Sequence, residues 1–195
     1  MSEQRRKQIE QACEALSDAS RRFAELATDD LLASVRTCRT ALDSGGKLVL
    51  FGNGGSASQA QHLAAEFVTR LRHDRPAMAA MALTADAAVM TSIANDLGYE
   101  RLFARQIESV GRAGDVAIAF STSGHSPNVL AGLAKARSLG MATVSFLGDR
   151  GEMPAKVLDR SDHAICVPAT DSATIQELHL LAGHLLCELL EPQRP

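Results

Sequence analysis

The sequence predicts an α/β fold built around a mostly parallel sheet. Short apolar runs of roughly four to eight residues, typical of buried strands, recur along the chain and alternate with segments of helical periodicity. This alternation indicates successive βαβ units, whose helices cover the faces of a parallel sheet. Glycine- and hydroxyl-rich stretches follow two of the runs, where open parallel sheets bind ligands.

The predicted elements follow one another in a regular order. The strand candidates are KLVLF (47–51), AMAAMAL (77–83), DVAIAF (115–120), MATVSFLG (141–148) and HAICVP (163–168). Helices are expected at about 57–71, 86–110 with a break near Gly98, 127–139 and 172–190. No linker or repeat interrupts the series, so we expect one domain over residues 1–195.

Two helices precede the first strand. Apolar residues recur at helical spacing within residues 2–27, and a second helix is expected over residues 30–42, with Thr28 and Asp29 as capping candidates. Residues 1–45 would therefore form an N-terminal helical arm. Such an arm covers the sheet or buries its apolar stripe against another subunit, and we favour the second interpretation.

Composition and charge limit the classes of function. The chain has 195 residues, 46% of them hydrophobic, and a net charge of −3 without an evident basic patch, which argues against nucleic-acid binding. No apolar run approaches the ~20 residues of a membrane span, and the N-terminus lacks a signal-peptide core. Four widely spaced cysteines indicate reduced, structural thiols. We expect a cytoplasmic protein that binds neither nucleic acid nor membrane.

Residues 52–58, GNGGSAS, come directly after the first strand. Glycines at this position let the backbone approach a ligand closely, and the start of the following helix offers unpaired N–H groups. A tight strand-to-helix turn would use the same residues. The stretch lacks both the GK[ST] of a P-loop and the GxGxxG spacing, so a nucleotide site is disfavoured.

Residues 121–128, STSGHSPN, follow a central strand. The hydroxyl groups in this stretch belong to Ser121, Thr122, Ser123 and Ser126. Together with the N–H groups at the start of a helix, neutral hydroxyls can hold a phosphate dianion without Lys or Arg. Serine-rich turns also serve only to cap helices, but the position after a central strand favours phosphate binding.

Two helices carry polar pairs on one face. His62 and Glu66 are four residues apart, and Gln176 and His184 are eight apart, about 800° of helical rotation. Four such donors could enclose a divalent metal such as zinc. His–Glu pairs are also common on solvated helices, and His179 offers a competing face on the last helix, so spacing alone leaves metal binding open.

The same side chains suit proton transfer. Interconversion of an aldose and a ketose moves a proton between adjacent carbons through an enediol, which needs a base near one carbon and an acid or second base near the carbonyl oxygen. A metal could also polarise the oxygens. Glu66 is the candidate base and His184 its partner.

The order of these motifs resembles the sugar isomerase (SIS) domain family and, within it, the sedoheptulose 7-phosphate isomerases. The series is GNGGSAxxAQH, ALTxD, ND, GDV…STSGxSPN and IQExH…H, and the resemblance covers nearly the whole chain. It implies a flavodoxin-like three-layer α/β/α sandwich with a five-stranded parallel sheet, and a homotetramer with active sites between subunits. The implied reaction converts sedoheptulose 7-phosphate to glycero-manno-heptose 7-phosphate, the entry step to nucleotide-activated heptose for lipopolysaccharide or another surface polysaccharide.

The resemblance also implies roles for individual residues. Those that would hold the phosphate are Ser121, Thr122, Ser123 and Ser126. Those that would contact the sugar are Asn53, Gly54, Gly55, Glu66, Asn95, Asp96 and Gln176. One zinc ion per subunit would be bound by His62, Glu66, Gln176 and His184. Glu66 and His184 would also transfer the protons.

Three positions depart from the family pattern. Gln59 stands where many members have Asp, Ala85 where Thr is frequent, and His125 where Asn is frequent. Any help that an acid gives at position 59 is therefore in doubt, and we interpret His125 as a tolerated surface substitution. None of the three removes a proposed acid, base or metal ligand.

Two alternative functions remain. A sibling branch of the family, the replication initiator-associating proteins, keeps the fold but binds the initiator protein without catalysis. That branch typically lacks the Glu and His found here as Glu66 and His184, which disfavours it. The second alternative is an isomerase of another phosphosugar; several of those enzymes carry a second domain, for which 195 residues leave no room.

Overall fold

The computed structural model describes residues 2–149 and 155–192, so the ends of the predicted domain lie outside the described residues. The strands are β1 Leu48–Gly52, β2 Ala80–Ala82, β3 Val116–Ser121, β4 Ala142–Gly148 and β5 His163–Val167. They form one parallel sheet in the order β2-β1-β3-β4-β5. This is the order of flavodoxin-like doubly wound sheets, so the predicted fold is confirmed.

Helices connect the strands. They are α1 Ser2–Leu26, α2 Thr28–Asp43, α3 Gly55–Val68, α4 Ala87–Leu97, α5 Leu102–Val110, α6 Pro127–Ser138, α7 Ala155–Leu158 and α8 Ser172–Leu190. A 3-10 turn at Tyr99–Arg101 joins α4 to α5, where the break near Gly98 was expected. The sequence did not predict α7, and the second strand is shorter than its apolar run because β2, at the edge of the sheet, pairs with β1 over only three positions.

Strand side chains alternate between the two faces of the sheet. From β1, Leu48 and Leu50 pack with α1, α2, α3 and α8, whereas Val49 and Phe51 pack with α4, α5, α6 and α7. Every residue of β1 and β3 is buried, as expected for strands covered on both faces. The result is the predicted three-layer sandwich.

The junction of the two arm helices differs from the prediction. The N-cap of α2 is Ala27, without a capping side chain, so the assignment of Thr28 and Asp29 as caps is wrong. The Thr28 hydroxyl instead donates to the Ala24 carbonyl of the preceding turn at 2.6 Å. Helical bonding continues through the junction, since the Ala27 N–H donates to Phe23 and the Ala27 carbonyl accepts from the next turn.

The first half of α1 has little packing within the chain. Residues 3–15 are exposed, whereas Ala19 and Phe23 are buried against the remaining helices of that face. Ile9 is 66% exposed although it belongs to the apolar stripe of the helix. The arm therefore presents an apolar surface that its own sheet does not cover.

Three of the four cysteines behave as structural thiols, whereas Cys13 on α1 is exposed. None of the four forms a disulfide among the described residues, and burial raises the pKa of Cys38 to about 12 and the pKa values of Cys166 and Cys187 to about 11. These side chains therefore stay protonated and unreactive at neutral pH. Among the helices that the structure describes, none combines the length and apolar character needed to cross a membrane.

Candidate active site

A cleft of about 100 Å³ opens beyond the C-terminal ends of β1 and β3. Its lining residues are Asn53, Ser56, Phe120, Ser121, Thr122, Ser123, Ser126 and Gln176. The chain winds in opposite directions from these two central strands, and such a switch point is where open α/β sheets bind ligands. The structure thus brings together all four hydroxyl residues that the sequence singled out.

The turn after β3 is shaped by its own hydroxyl groups. Ser121 Oγ accepts a hydrogen bond from the Gly124 N–H at 3.0 Å, which closes the turn. Pro127 occupies the first turn of α6, and the N-cap residue Ser126 makes no capping bond with its side chain. The positive end of α6 and the Ser126 hydroxyl therefore face the cleft together, an arrangement that suits an anion.

The glycine-rich stretch brings α3 close to α8. Gly54 is the N-cap of α3 and Gly55 its first residue. A Cβ at Gly55 would lie 2.6 Å from Gln176 Nε2, so a larger residue at this position would displace the end of the Gln176 side chain. The lack of a side chain at Gly55 therefore leaves room for Gln176 in the cleft.

Gln59 supports the same contact from inside the protein. Its side chain is buried, and its Nε2 donates to the backbone carbonyl of Gln176. Its Oε1 forms no hydrogen bond to the described residues. The departure at this position therefore places a neutral amide where α3 and α8 meet.

A cluster of His62, Glu66 and His184 joins α3 to α8 on the open side. The two imidazole Nε2 atoms lie 2.8 Å apart, and Glu66 Oε1 lies 3.6 Å from His62 Nε2. At 2.8 Å the two Nε2 atoms are within hydrogen-bonding distance, so one ring donates and the other accepts. The His62 side chain is 45% exposed and that of Glu66 22%, so both remain accessible to a ligand.

The cluster keeps His184 in its neutral form. Burial lowers the pKa of His184, and the neighbouring charges of His62 and Arg72 lower it further, while Glu66 offsets only part of the shift. A neutral imidazole can both donate and accept a proton, as general acid–base chemistry requires.

Close packing of two helices sets the distance between the imidazoles. A Cβ at Gly183, the residue before His184, would overlap the side chain of Leu63, the residue after His62. The absence of a side chain at Gly183 therefore lets α8 approach α3 at the level of the cluster.

A buried ion pair fixes the far ends of the same helices. Arg75 and Glu191 lie 3.3 Å apart, Nε to Oε1, and each side chain is 2% exposed. Arg75 donates to the carbonyls of Glu66 at 2.8 Å and Phe67 at 2.9 Å, and Glu191 accepts from the Leu71 N–H at 3.0 Å. The pair thus ties the last turn of α3, which carries Glu66, to the end of α8.

The competing histidine of the last helix belongs to the core. His179 is fully buried, and its ring centroid lies 6.2 Å from that of Phe120 and 5.9 Å from that of Phe146. Burial lowers the pKa of His179 to about 4, and a hydrogen bond with the Leu147 backbone offsets only part of that shift. Of the two candidate faces of α8, the one with His184 meets α3.

Not every predicted residue comes to the cleft. Asn95 and Asp96 lie exposed near the end of α4, where the Asn95 Nδ2 donates to Asp96 Oδ1 at 2.7 Å. Gln176 lines the cleft, two turns of α8 before His184. Residues 2–149 and 155–192 contain no group of three or more His, Cys, Asp and Glu side chains arranged to hold a metal, so the zinc site stays a prediction.

Sequence analysis assigned no role to three residues found at the site. Ser56 lines the cleft, and Asn128 and Tyr99 hydrogen-bond to Asn53 at 2.8 and 3.0 Å. Tyr99 is 46 residues from Asn53 in the chain and belongs to no motif. The position of Asn128 inside STSGHSPN was the one available signal.

Comparison with known proteins agrees with this architecture. The SIS domain family model matches residues 11–148. The phosphoheptose isomerase of Burkholderia pseudomallei (strain K96243) is 46% identical over 182 residues, 91% of each chain. A phosphoheptose isomerase structure from Francisella tularensis superposes with a TM-score of 0.89 at 29% identity, covering 94% of this chain and 96% of that one. One from Neisseria gonorrhoeae gives 0.87 at 30% identity, covering 95% and 97%. The chain therefore belongs to the SIS domain family, within its group of phosphoheptose isomerases.

Proposed function

We propose that this protein is a phosphoheptose isomerase that converts D-sedoheptulose 7-phosphate to D-glycero-D-manno-heptose 7-phosphate through an enediol. The relatives with the same fold over nearly the whole chain carry that name. The observation that carries the proposal is the layout of α8. This helix brings Gln176 to the hydroxyl-lined cleft and His184 to the carboxylate–imidazole cluster.

The cleft can bind the phosphate with uncharged hydrogen-bond donors. Its hydroxyl groups and the start of α6 offer donors without a Lys or Arg among its lining residues. Donors at a helix N-terminus favour a dianion because their partial positive charge is already oriented. Binding at this end fixes the sugar chain, so its reacting carbons meet the cluster in a defined orientation.

The cluster supplies the proton transfers. Glu66 removes a proton from C1 of the ketose while the C2 oxygen gains one, which gives the enediol. The proton returns to C2 as the C1 hydroxyl loses its own, which gives the aldehyde. His184, which stays neutral beside His62, is suited to pass protons at the two oxygens because its imidazole can donate and accept.

The chemical types of these donors suit zinc. Two imidazole nitrogens and a carboxylate on adjoining helix faces are ligands that zinc prefers, and a side-chain amide oxygen can complete the set. We propose one ion per subunit, held by His62, Glu66, Gln176 and His184. When bound, zinc would polarise the sugar oxygens as a Lewis acid.

The assembly and setting follow from the same proposal. We propose a homotetramer with active sites between subunits, supported by the uncovered apolar surface of α1 and by the exposed positions of Asn95 and Asp96. Four cysteines without a disulfide among the described residues agree with the cytoplasm. The product would enter nucleotide-activated heptose synthesis for lipopolysaccharide or another surface polysaccharide.

A direct assay tests the proposal. Purified protein loaded with zinc is incubated with sedoheptulose 7-phosphate, and the product is followed by NMR beside the Glu66→Gln variant. We expect heptose 7-phosphate from the wild type alone. Turnover of a different phosphosugar instead would replace the substrate assignment. An inactive tetramer that captures the replication initiator protein would support the non-catalytic alternative.

A further inference from the structure

Asn53 follows β1 directly, and its carboxamide lies in a network of three hydrogen bonds. Asn53 Oδ1 accepts from Asn128 Nδ2 at 2.8 Å and from the Tyr99 hydroxyl at 3.0 Å. Asn53 Nδ2 donates to Asn128 Oδ1 at 2.8 Å. Asn128 is 2% exposed, so its side chain can satisfy its polar atoms only within the protein.

A backbone group fixes the direction of these bonds. The Val129 N–H donates to Asn128 Oδ1 at 3.0 Å. A backbone N–H can only donate, so the atom facing it must be the oxygen of Asn128. That places Asn128 Nδ2 against the oxygen of Asn53, and the Tyr99 hydroxyl must then donate to the same oxygen. Neither carboxamide can turn over without losing a bond.

This direction restricts what Asn53 can offer to a ligand. Both lone pairs of its Oδ1 are engaged, and one of the two Nδ2 hydrogens is engaged by Asn128. Among the described residues no acceptor is bonded to the other hydrogen. Asn53 lines the cleft, so at this point the cleft presents a donor and selects a ligand with an acceptor oxygen.

We propose that Asn128 and Tyr99 are positioning residues that hold Asn53 as an obligatory N–H donor to an oxygen of the bound phosphosugar. The inference rests on the proposed function, because it assigns a contact to that substrate. The contact lies in the cleft, away from the proton-transfer cluster, and is therefore the same in the ground state and the transition state. It then lowers KM and leaves kcat nearly unchanged.

Two variants test the proposal kinetically. Asn128→Asp keeps the acceptor for Val129 but replaces the donor to Asn53 with an oxygen, and this releases the Asn53 amide. Tyr99→Phe removes one hydroxyl from a side chain that is 54% exposed, so the fold does not depend on it. We expect KM for sedoheptulose 7-phosphate to rise about tenfold and about two- to fivefold respectively, with kcat within about twofold.

A matched deletion provides the control. Ser138→Ala removes a hydroxyl that bonds the Lys135 carbonyl at 2.7 Å at the opposite end of α6, and its KM should equal that of the wild type. A purely structural role predicts a lower melting temperature for Asn128→Asp with an unchanged KM. That result, or an unchanged KM in both variants, would overturn the proposal.

A second readout needs no substrate. Tyr99 is the single tyrosine of a chain without tryptophan, so near-ultraviolet phenol absorption reports on this hydroxyl alone. Donation to Asn53 shifts the band to longer wavelength, and Asn53→Leu should shift it back. No shift in this variant contradicts the network. The wild type could prove inactive on sedoheptulose 7-phosphate while its band still lies at longer wavelength than that of Asn53→Leu. That result would support the network and would contradict only the proposed substrate.

Discussion

The cleft and the His–Glu cluster are adjoining parts of one site, but they are built in different ways. The cleft takes its hydroxyl groups from one turn, closed by a bond between Ser121 and Gly124 at the end of a buried strand. The cluster joins His62 to His184, 122 residues apart in the chain, across two helices. A short motif therefore specifies the cleft, whereas helix packing specifies the cluster.

The largest expected effect is the loss of turnover when Glu66 is replaced, which distinguishes the cluster from the cleft. Glu66→Gln removes the base but leaves the cleft intact, so we expect kcat to fall by about 10²–10⁴-fold with KM within about threefold. Steady-state kinetics on sedoheptulose 7-phosphate measure both constants. Glu108→Gln, at an exposed position on α5, is the matched control and should be fully active. Near-normal turnover by Glu66→Gln would show that the cluster is not the reacting end.

The next effect tests how the cluster is held. Arg75→Met leaves Glu191 buried without its partner, and breaking a buried pair in this way costs about 3–5 kcal/mol of the free energy of unfolding. Urea denaturation measures the loss. Arg105→Met breaks an exposed pair with Glu108 and should cost below about 1 kcal/mol. Equal losses in the two variants would contradict the role of the buried pair.

The same ion pair should appear in the pH dependence of stability. Burial raises the pKa of Glu191, but hydrogen bonds from the Leu71 and Arg72 N–H groups and the charge of Arg75 outweigh it and lower the pKa overall. A lowered folded pKa contributes stability above the pKa of the unfolded chain, and this contribution is lost as pH falls through the folded value. The wild type should therefore lose stability more steeply than Glu191→Gln below about pH 4.5. Parallel acid curves would exclude the ion pair as the cause.

The smallest effect distinguishes two hydroxyl groups within the cleft. Ser126→Ala should raise KM about two- to tenfold without changing the melting temperature, because its side chain makes no capping bond. Ser121→Ala should raise KM and also lower the melting temperature, because it removes the acceptor for Gly124. Identical thermal shifts in the two variants would show that the turn does not depend on Ser121.

The same difference between local motifs and long-range packing explains how much could be predicted from the sequence. The strands, the hydroxyl-rich turn and the extent of the last helix were predictable because apolar runs, hydroxyl residues and helical periodicity are local signals. The contact of Tyr99 with Asn53 was not, because it depends on where the turn between α4 and α5 lies against β1. The caps expected at Thr28 and Asp29 were wrong because helical bonding continues from α1 into α2.

The last helix shows the limit most directly. His179 and His184 are five residues apart, and periodicity places both on plausible faces without saying which face meets the sheet. Packing decides this: Phe120 and Phe146 enclose His179, which leaves His184 to face α3. Sequence spacing identifies the candidate residues, and the packing of the folded chain determines which of them face the site.

Gly183 leaves little freedom in how closely α3 and α8 approach each other at the cluster. A Cβ at position 183 would overlap the terminal methyl groups of the buried Leu63 side chain, so either that side chain or the helix would have to move. One added methyl group at position 183 would push the two helices apart if the Leu63 side chain stayed in place. A misplacement of about 1 Å can cost an enzyme roughly a hundredfold in rate, so under the proposed mechanism a residue that takes no part in the chemistry would affect the precision of the proton transfer.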